Sequence, residues 1–221
     1  MSQISSTLLK TLVLLLVLAA AMLVAGQDNP FEEVMPKPVP LFNDDSFPNW
    51  KLLNATQDSF SFSNNVLRVS GENGWLQSPD SFGDFSLMGE FRFLQPDSDS
   101  GIFLRVVPGT DFIRGWPGNA YQVQIREISV NDSDNPLPLA NVYRHVVADG
   151  NTDYKREQVF DLYKGTDQWH ALLIRAEGSQ LKVFLDGRLV TVADDLVNDT
   201  GHIGFQSEKG VIEYRNMVIY E

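Results

Sequence analysis

AYQVQIRE, residues Ala120–Glu127, is the stretch on which the fold turns. Tyr121, Val123 and Ile125 alternate with Gln122, Gln124 and Arg126, a period of two that belongs to a β-strand with one buried face. A helix would bring its apolar residues back every three or four positions instead. The polar face is unusual in kind. A plain solvated sheet face is one reading of it. Two amides and a guanidinium, however, carry fixed donor and acceptor geometry suited to neutral polar ligands.

The same short-period pattern recurs along the chain at Val66–Ser70, Trp75–Gln77, Phe85–Leu94, Gly101–Val107, Trp169–Ala176, Gln180–Leu185, Arg188–Val192, His202–Ser207 and Val211–Tyr220. No window shows a helical stripe. Asp186-Gly187, between LKVFL and RLVTV, supplies the two positive-φ residues of a type I′ hairpin. Glu208-Lys209-Gly210 reads as a three-residue hairpin with Gly in the left-handed position. About ten strands joined by such turns predict an all-β, two-sheet antiparallel jelly-roll sandwich. Ser129 to Gln168, rich in Asp, Asn and Pro, reads as long loops on that scaffold.

The N-terminus follows a different pattern. Lys10 precedes an apolar run from Leu12 to Val24 and the small residues Ala25 and Gly26, which predicts a secretory signal peptide over residues 1–26. That run is shorter than a membrane span needs, so the expectation is a secreted protein without a membrane anchor. Residues 27–40, with Pro30, Pro36, Pro38 and Pro40, read as a linker, and 41–221 as one domain of ordinary size. The chain has no cysteine, so a secreted form is held by its core alone. Its formal net charge of −12 excludes nucleic acid and anionic lipid as electrostatic partners. Three sequons, at Asn54, Asn131 and Asn198, are potential glycosylation acceptors.

Several chemistries are absent. There is no G-x-S-x-G elbow, no phosphate-binding glycine loop, no H-E-x-x-H and no thiol. His145, His170 and His202 are far apart and lack ligand spacing, which leaves a metal shared between one of them and carboxylates as the only metal option. What remains is a polar and aromatic face. In SGIFLRV, Phe103 and Arg105 alternate with Ile102 and Leu104. In HIGFQS, Gln206 alternates with Ile203 and Phe205. If these strands share a sheet with AYQVQIRE, one face gathers Phe103, Arg105, Gln122, Gln124, Arg126 and Gln206. Amides and guanidinium read hydroxyls, and Phe103, Trp116 or Tyr143 would cover the apolar face of a pyranose.

Taken in order, LFNDDSFPNW, GWLQSPDSFGDFSLMGEFRFLQPDSDSGIFLR, AYQVQI, QWHALLIRAEGSQLKVFLDGRLV and GHIGFQSEKGVIEYRNMVIYE resemble the 3-keto-disaccharide hydrolase family. The resemblance runs from Leu41 to Glu221 and implies a concanavalin A-like, laminarinase-like jelly roll. It also implies cleavage of an oligosaccharide or glycoside whose sugar is oxidised at carbon 3. The ketone acidifies the carbon-2 proton, a base removes it, and the glycosidic bond leaves by elimination before water adds. Arg105, Gln124 and Gln206 carry over as pocket residues. Where the family has Glu in its YEVQI segment, this chain has Gln122, and a neutral amide cannot act as the base. The family's acid after that strand corresponds to Glu127, and His145, in PLANVYRHV, is the other candidate base near neutral pH. A divalent cation would serve to stabilise an enolate. No cofactor is otherwise implied. A glycan-binding module that has lost the chemistry, and an adhesion or scaffold module, are the alternatives.

Overall fold

The computed structural model describes residues 37–44, 47–71, 73–109, 112–113, 115–128, 138–145 and 150–221. The signal-peptide segment, the linker up to residue 36 and the Asn131 sequon lie outside the described residues. In chain order the strands are β1 (Val39–Pro40), β2 (Lys51–Leu53), β3 (Phe60–Ser63), β4 (Val66–Ser70), β5 (Gly74–Phe82), β6 (Phe85–Phe93), β7 (Asp99–Val106), β8 (Phe112–Ile113), β9 (Trp116–Pro117), β10 (Tyr121–Arg126), β11 (Val142–Arg144), β12 (Thr152–Tyr154), β13 (His170–Glu177), β14 (Gln180–Leu185), β15 (Arg188–Ala193), β16 (Gly201–Ser207) and β17 (Val211–Tyr220). Among the described residues one α-helix, α1 (Arg156–Leu162), stands with them.

Two antiparallel sheets carry the fold, as the alternation predicts. One runs β12-β15-β14-β13-β6-β17-β4-β3, with β1 added on β17, and the other runs β11-β10-β7-β16-β5-β2. Neighbours such as β6 with β17 and β7 with β16 are far apart in sequence, the mark of a jelly roll rather than a meander. Between the sheets, Ile102, Leu104, Tyr121, Val123 and Ile125 meet Leu87, Phe91 and Ile174 in one apolar core. The Asp186-Gly187 turn has φ of 47° and 80°, and Gly210 has φ of 72°, as those hairpins require.

Two elements depart from expectation. Val39–Pro40, in the linker reading, pairs with Val218 and Ile219 of β17. Pro40 sits there without cost because an edge position needs no second ladder hydrogen bond. Helix α1 falls in the stretch read as loop. Its seven residues bury only Val159, too little for an apolar stripe to show.

Arg105 is the largest departure. Its φ of 49° breaks the alternation of β7, so Val106 joins Phe103 on the face away from the core. The guanidinium, 1% exposed, instead ties three turns together. It donates to the carbonyls of Gly83, Gly178 and Asn198 at 2.6 to 3.2 Å and pairs with Asp84 at 3.0 Å. Asn198 closes the clip by donating its amide to the Arg105 carbonyl and to Asn119. Four acceptors left without their donor predict that Arg105→Ala lowers unfolding free energy by roughly 3 kcal/mol. Urea denaturation checks this, and a loss below about 1 kcal/mol would show that the clip carries little.

Candidate functional site

The site lies on the face of the six-stranded sheet that points away from the core. Register places Gln122 opposite Phe103, Gln124 opposite Gly101 and Arg126 opposite Asp99, all on that face. Across β7, Gly204 of β16 faces Phe103, and across β16 it faces Gln77 of β5. Two glycines make room. A Cβ on Gly101 would stand 2.2 Å from the Gln122 amide nitrogen, and one on Gly204 would stand 2.6 Å from the Trp75 ring. Both side chains can therefore lie down across the sheet.

Three glutamines form one chain of hydrogen bonds. Gln122 donates its amide to Gln124 and to Gln206, each at 2.7 Å. Gln124 donates to Asp99 at 2.7 Å and Gln206 to Glu208 at 2.8 Å. At the other end, His145 Nε2 lies 2.8 Å from Gln122 Oε1. Arg126 pairs with the second oxygen of Asp99 at 3.4 Å. All three glutamines are buried, so each of these bonds satisfies a group that water cannot reach. Asp99 and Glu208, with Lys209, Gly210, Gly71 and Asn73, line an open cavity of about 500 Å³.

Beside the amides stands an aromatic wall. Trp75, Phe103, Val106 and Ala120 form a cluster separate from the main core, with Leu53 and Trp116 against it. Trp75 meets Phe103 edge to face at 5.6 Å, and Trp116 lies 6.2 Å from Phe103. His145 is held edge-on between Phe103 and Tyr143, at 5.5 and 4.8 Å. Tyr143 is exposed and Trp116 half-buried, so these two offer their surfaces, with Phe103 against Trp116 and His145 against Tyr143. Among the described residues the Trp75 indole nitrogen is buried without a hydrogen-bond partner.

Burial sets the charge states. It pushes the Asp99 carboxyl up to about 7, Glu208 adds to that rise, and Arg126 opposes it. Burial likewise raises Glu208, against the pull of Arg126 and Gln206. It lowers His145 to about 4, so its ring is neutral at physiological pH.

The structure thus brings together Gln122, Gln124, Gln206, Phe103, Arg126 and His145. It sends Arg105 and Glu127 elsewhere. Glu127 is buried, accepts the Asp97 backbone N–H at 3.0 Å and the Tyr163 hydroxyl, and braces a loop instead of facing the amides. The alternation already put Glu127 on the Tyr121 side, so its distance from the glutamines is a consequence of register. The two other histidines are structural: His170 donates to Asp186 and stacks on Phe91 and Tyr163, and His202 reaches only Asp80 and Ser81. Asp99, Glu208 and Trp75 were missed. Counting by twos from Phe103 back to Asp99, and from Gln206 on to Glu208, would have found the two acids.

Among the described residues, no group of three or more His, Asp or Glu side chains is placed to hold a metal ion. Asp99 spends one oxygen on Gln124 and the other on Arg126, and Glu208 accepts from Gln206. This donor set does not fit a resident divalent cation.

Two antiparallel sheets with a polar and aromatic outer face define a jelly roll. A candidate glycosyl hydrolase from Parabacteroides distasonis shares the fold at a TM-score of 0.64 and 19% identity, over 84% of this chain and 99% of that one. A Bacillus licheniformis β-glucanase does so at 0.53 and 14%, over 88% and 99%. The carbohydrate-binding module CBM66 of Bacillus subtilis does so at 0.52 and 15%, over 78% and 96%. Comparison with curated protein sequences finds no match. The chain belongs to the 3-keto-alpha-glucoside-1,2-lyase-like family, whose pattern matches residues 37–220.

The raised Asp99 carboxyl has a signed consequence. Its folded pKa lies above the ordinary 3.8, so its contribution to stability falls as pH climbs from about 4 to about 7 and is level above that. Asp99→Asn keeps an acceptor for Gln124 and removes the charge. Its stability relative to the native chain should therefore improve by on the order of 1 kcal/mol between pH 5 and pH 8, part of the gain being offset by the lost Arg126 pair. Parallel urea titrations at the two pH values measure the difference.

Proposed function

We propose that this protein is a secreted enzyme that cleaves glycosides bearing a ketone at carbon 3, and that the outer face of the six-stranded sheet is its active site. The observation that carries the reading is the chain of groups from His145 through the three glutamines to Asp99 and Glu208, set beside Trp116 and Tyr143. Family membership supports the chemistry. Lys10, the apolar run behind it and Ala25-Gly26 support secretion.

The ketone makes the carbon-2 proton acidic, and His145 is the base that takes it. A neutral imidazole is ready to accept a proton, and burial keeps this one neutral. As the carbon-2 to hydrogen bond breaks, a carbon-1 to carbon-2 double bond forms and the glycosidic bond to carbon 1 opens. Asp99 or Glu208, each with a raised pKa, hands a proton to the departing oxygen. Water then adds across the double bond, and the sum is hydrolysis. Trp116 and Tyr143 cover the apolar face of the ring.

Incubating the purified protein with 3-keto-disaccharides should release free sugar, while the unoxidised disaccharides should survive because their carbon-2 proton is not acidic. No release of sugar from any 3-keto substrate, with or without added divalent ions, would sink the proposal. Activity should be highest between about pH 5 and 7, falling toward pH 4, where His145 charges, and above about pH 7, where Asp99 loses the proton it hands over. Trp116→Ala and Tyr143→Ala should each weaken binding about fivefold, roughly 1 kcal/mol per ring.

A second reading has its own observation. Gln122 is an amide where the family pattern carries a carboxylate, and both its amide hydrogens and its carbonyl are already engaged. On that reading the face binds glycans without turning them over. Calorimetry showing sugar binding, together with no turnover of any 3-keto substrate, would select it.

A further inference from the structure

We infer that Gln122 is a positioning residue: it holds His145 with the proton on Nε2 and leaves Nδ1 as the basic atom. The inference deepens the enzymatic reading above, and its physical part stands independently of turnover.

The direction of the hydrogen-bond chain is set at its far ends. Asp99 and Glu208, once ionised, can only accept. Gln124 and Gln206 must therefore turn their amide nitrogens toward those carboxylates, which they do at 2.7 and 2.8 Å. Their carbonyl oxygens then face inward, and both meet the amide nitrogen of Gln122 at 2.7 Å. Its two hydrogens are used up. Gln122 has only its carbonyl left for His145, and a carbonyl needs a donor, so the hydrogen in the 2.8 Å contact belongs to Nε2. In a neutral imidazole the other nitrogen is then bare. No described residue hydrogen-bonds Nδ1.

Ring orientation is fixed separately. The His145 backbone N–H donates to the Ala120 carbonyl at 2.9 Å, and the ring is gripped edge-on by Phe103 and Tyr143. Gln122 therefore chooses the tautomer, not the pose. Through two amides, the charges of Asp99 and Glu208 decide which nitrogen of a histidine just past the end of β11 carries the proton. A carboxylate at position 122 would also accept from Nε2, but by its own charge and without the direction handed on from the two acids.

The chain has three histidines, and one of them is an internal control. His170 contacts Asp186 through Nδ1 at 2.9 Å and receives the Lys164 backbone N–H at Nε2, so it holds the opposite tautomer. Two-bond proton–nitrogen correlation spectra of the 15N-labelled full chain at pH 8 read all three rings. His145 is expected to show a protonated Nε2 with a slowly exchanging proton and a bare Nδ1, the mirror of His170. Gln122→Met should lose the slow Nε2 proton with the remaining amide spectrum intact, and Gln122→Glu, which still offers an acceptor, should keep it. A proton on Nδ1 of His145 in the native chain, or a slow Nε2 proton that survives Gln122→Met, overturns the inference. Should Gln122→Met fail to fold, the native spectrum and that of Gln122→Glu still decide it, since a rapidly exchanging Nε2 proton in either also overturns it. If the spectra come out as expected and no 3-keto-glycoside is cleaved, the enzymatic reading fails and the positioning role stands.

Discussion

The period of two along β7 and β10 governs both halves of this molecule. Each residue that turns inward obliges its neighbours to turn outward. Ile102, Leu104, Tyr121, Val123 and Ile125 fill the space between the sheets, and Phe103, Gln122 and Gln124 are thereby committed to the opposite face. Core and site cannot be varied independently. A register slip of one residue would bury the amides in the core and turn Tyr121 and Val123 toward solvent. Rigid strands in mid-sheet also explain how three glutamines meet at 2.7 Å without help from a loop.

The one break in that period does structural work elsewhere. At Arg105 the backbone enters the left-handed region, which an arginine adopts at a cost, and a cost of that kind persists only where the surroundings enforce it. Here four acceptors from three turns enforce it. The same bend delivers Val106 to the aromatic wall. Arg105 contributes to the site by holding the turns that fix β7, and has no free donor for a ligand. Family likeness in the SGIFLR segment made it a pocket residue, but the segment's role is to end a strand and clamp the sandwich.

What could be read from the sequence follows the same boundary. Alternation exposed the sheets, the hairpins at Asp186-Gly187 and Glu208-Lys209-Gly210, and the joint face of Gln122, Gln124 and Gln206. Each of these is fixed by residues close in sequence or by a period. Arg105 could not be read, because its φ depends on carbonyls from Gly83, Gly178 and Asn198, contacts a local pattern does not encode. Helix α1 escaped for a related reason: seven residues with one buried side chain hold their shape through tertiary support. Asp99 and Glu208 were legible by counting, and were passed over because each sits at a strand end, where loop acids are ordinarily solvated.

Gln122 concentrates what is particular to this chain. At the centre of a buried face, a carboxylate would be a third negative charge linked through single amides to Asp99 and Glu208, two acids whose burial already works against ionisation. A neutral amide relieves that repulsion and still connects every member of the network. The exchange moves the work of charge from the middle of the face to its rim, where Arg126 compensates Asp99 and the open cavity admits water. The neutral imidazole and the two acids then separate in space. His145, kept neutral by burial, stands at one end of the amides, and the two carboxyls that burial raises stand at the other.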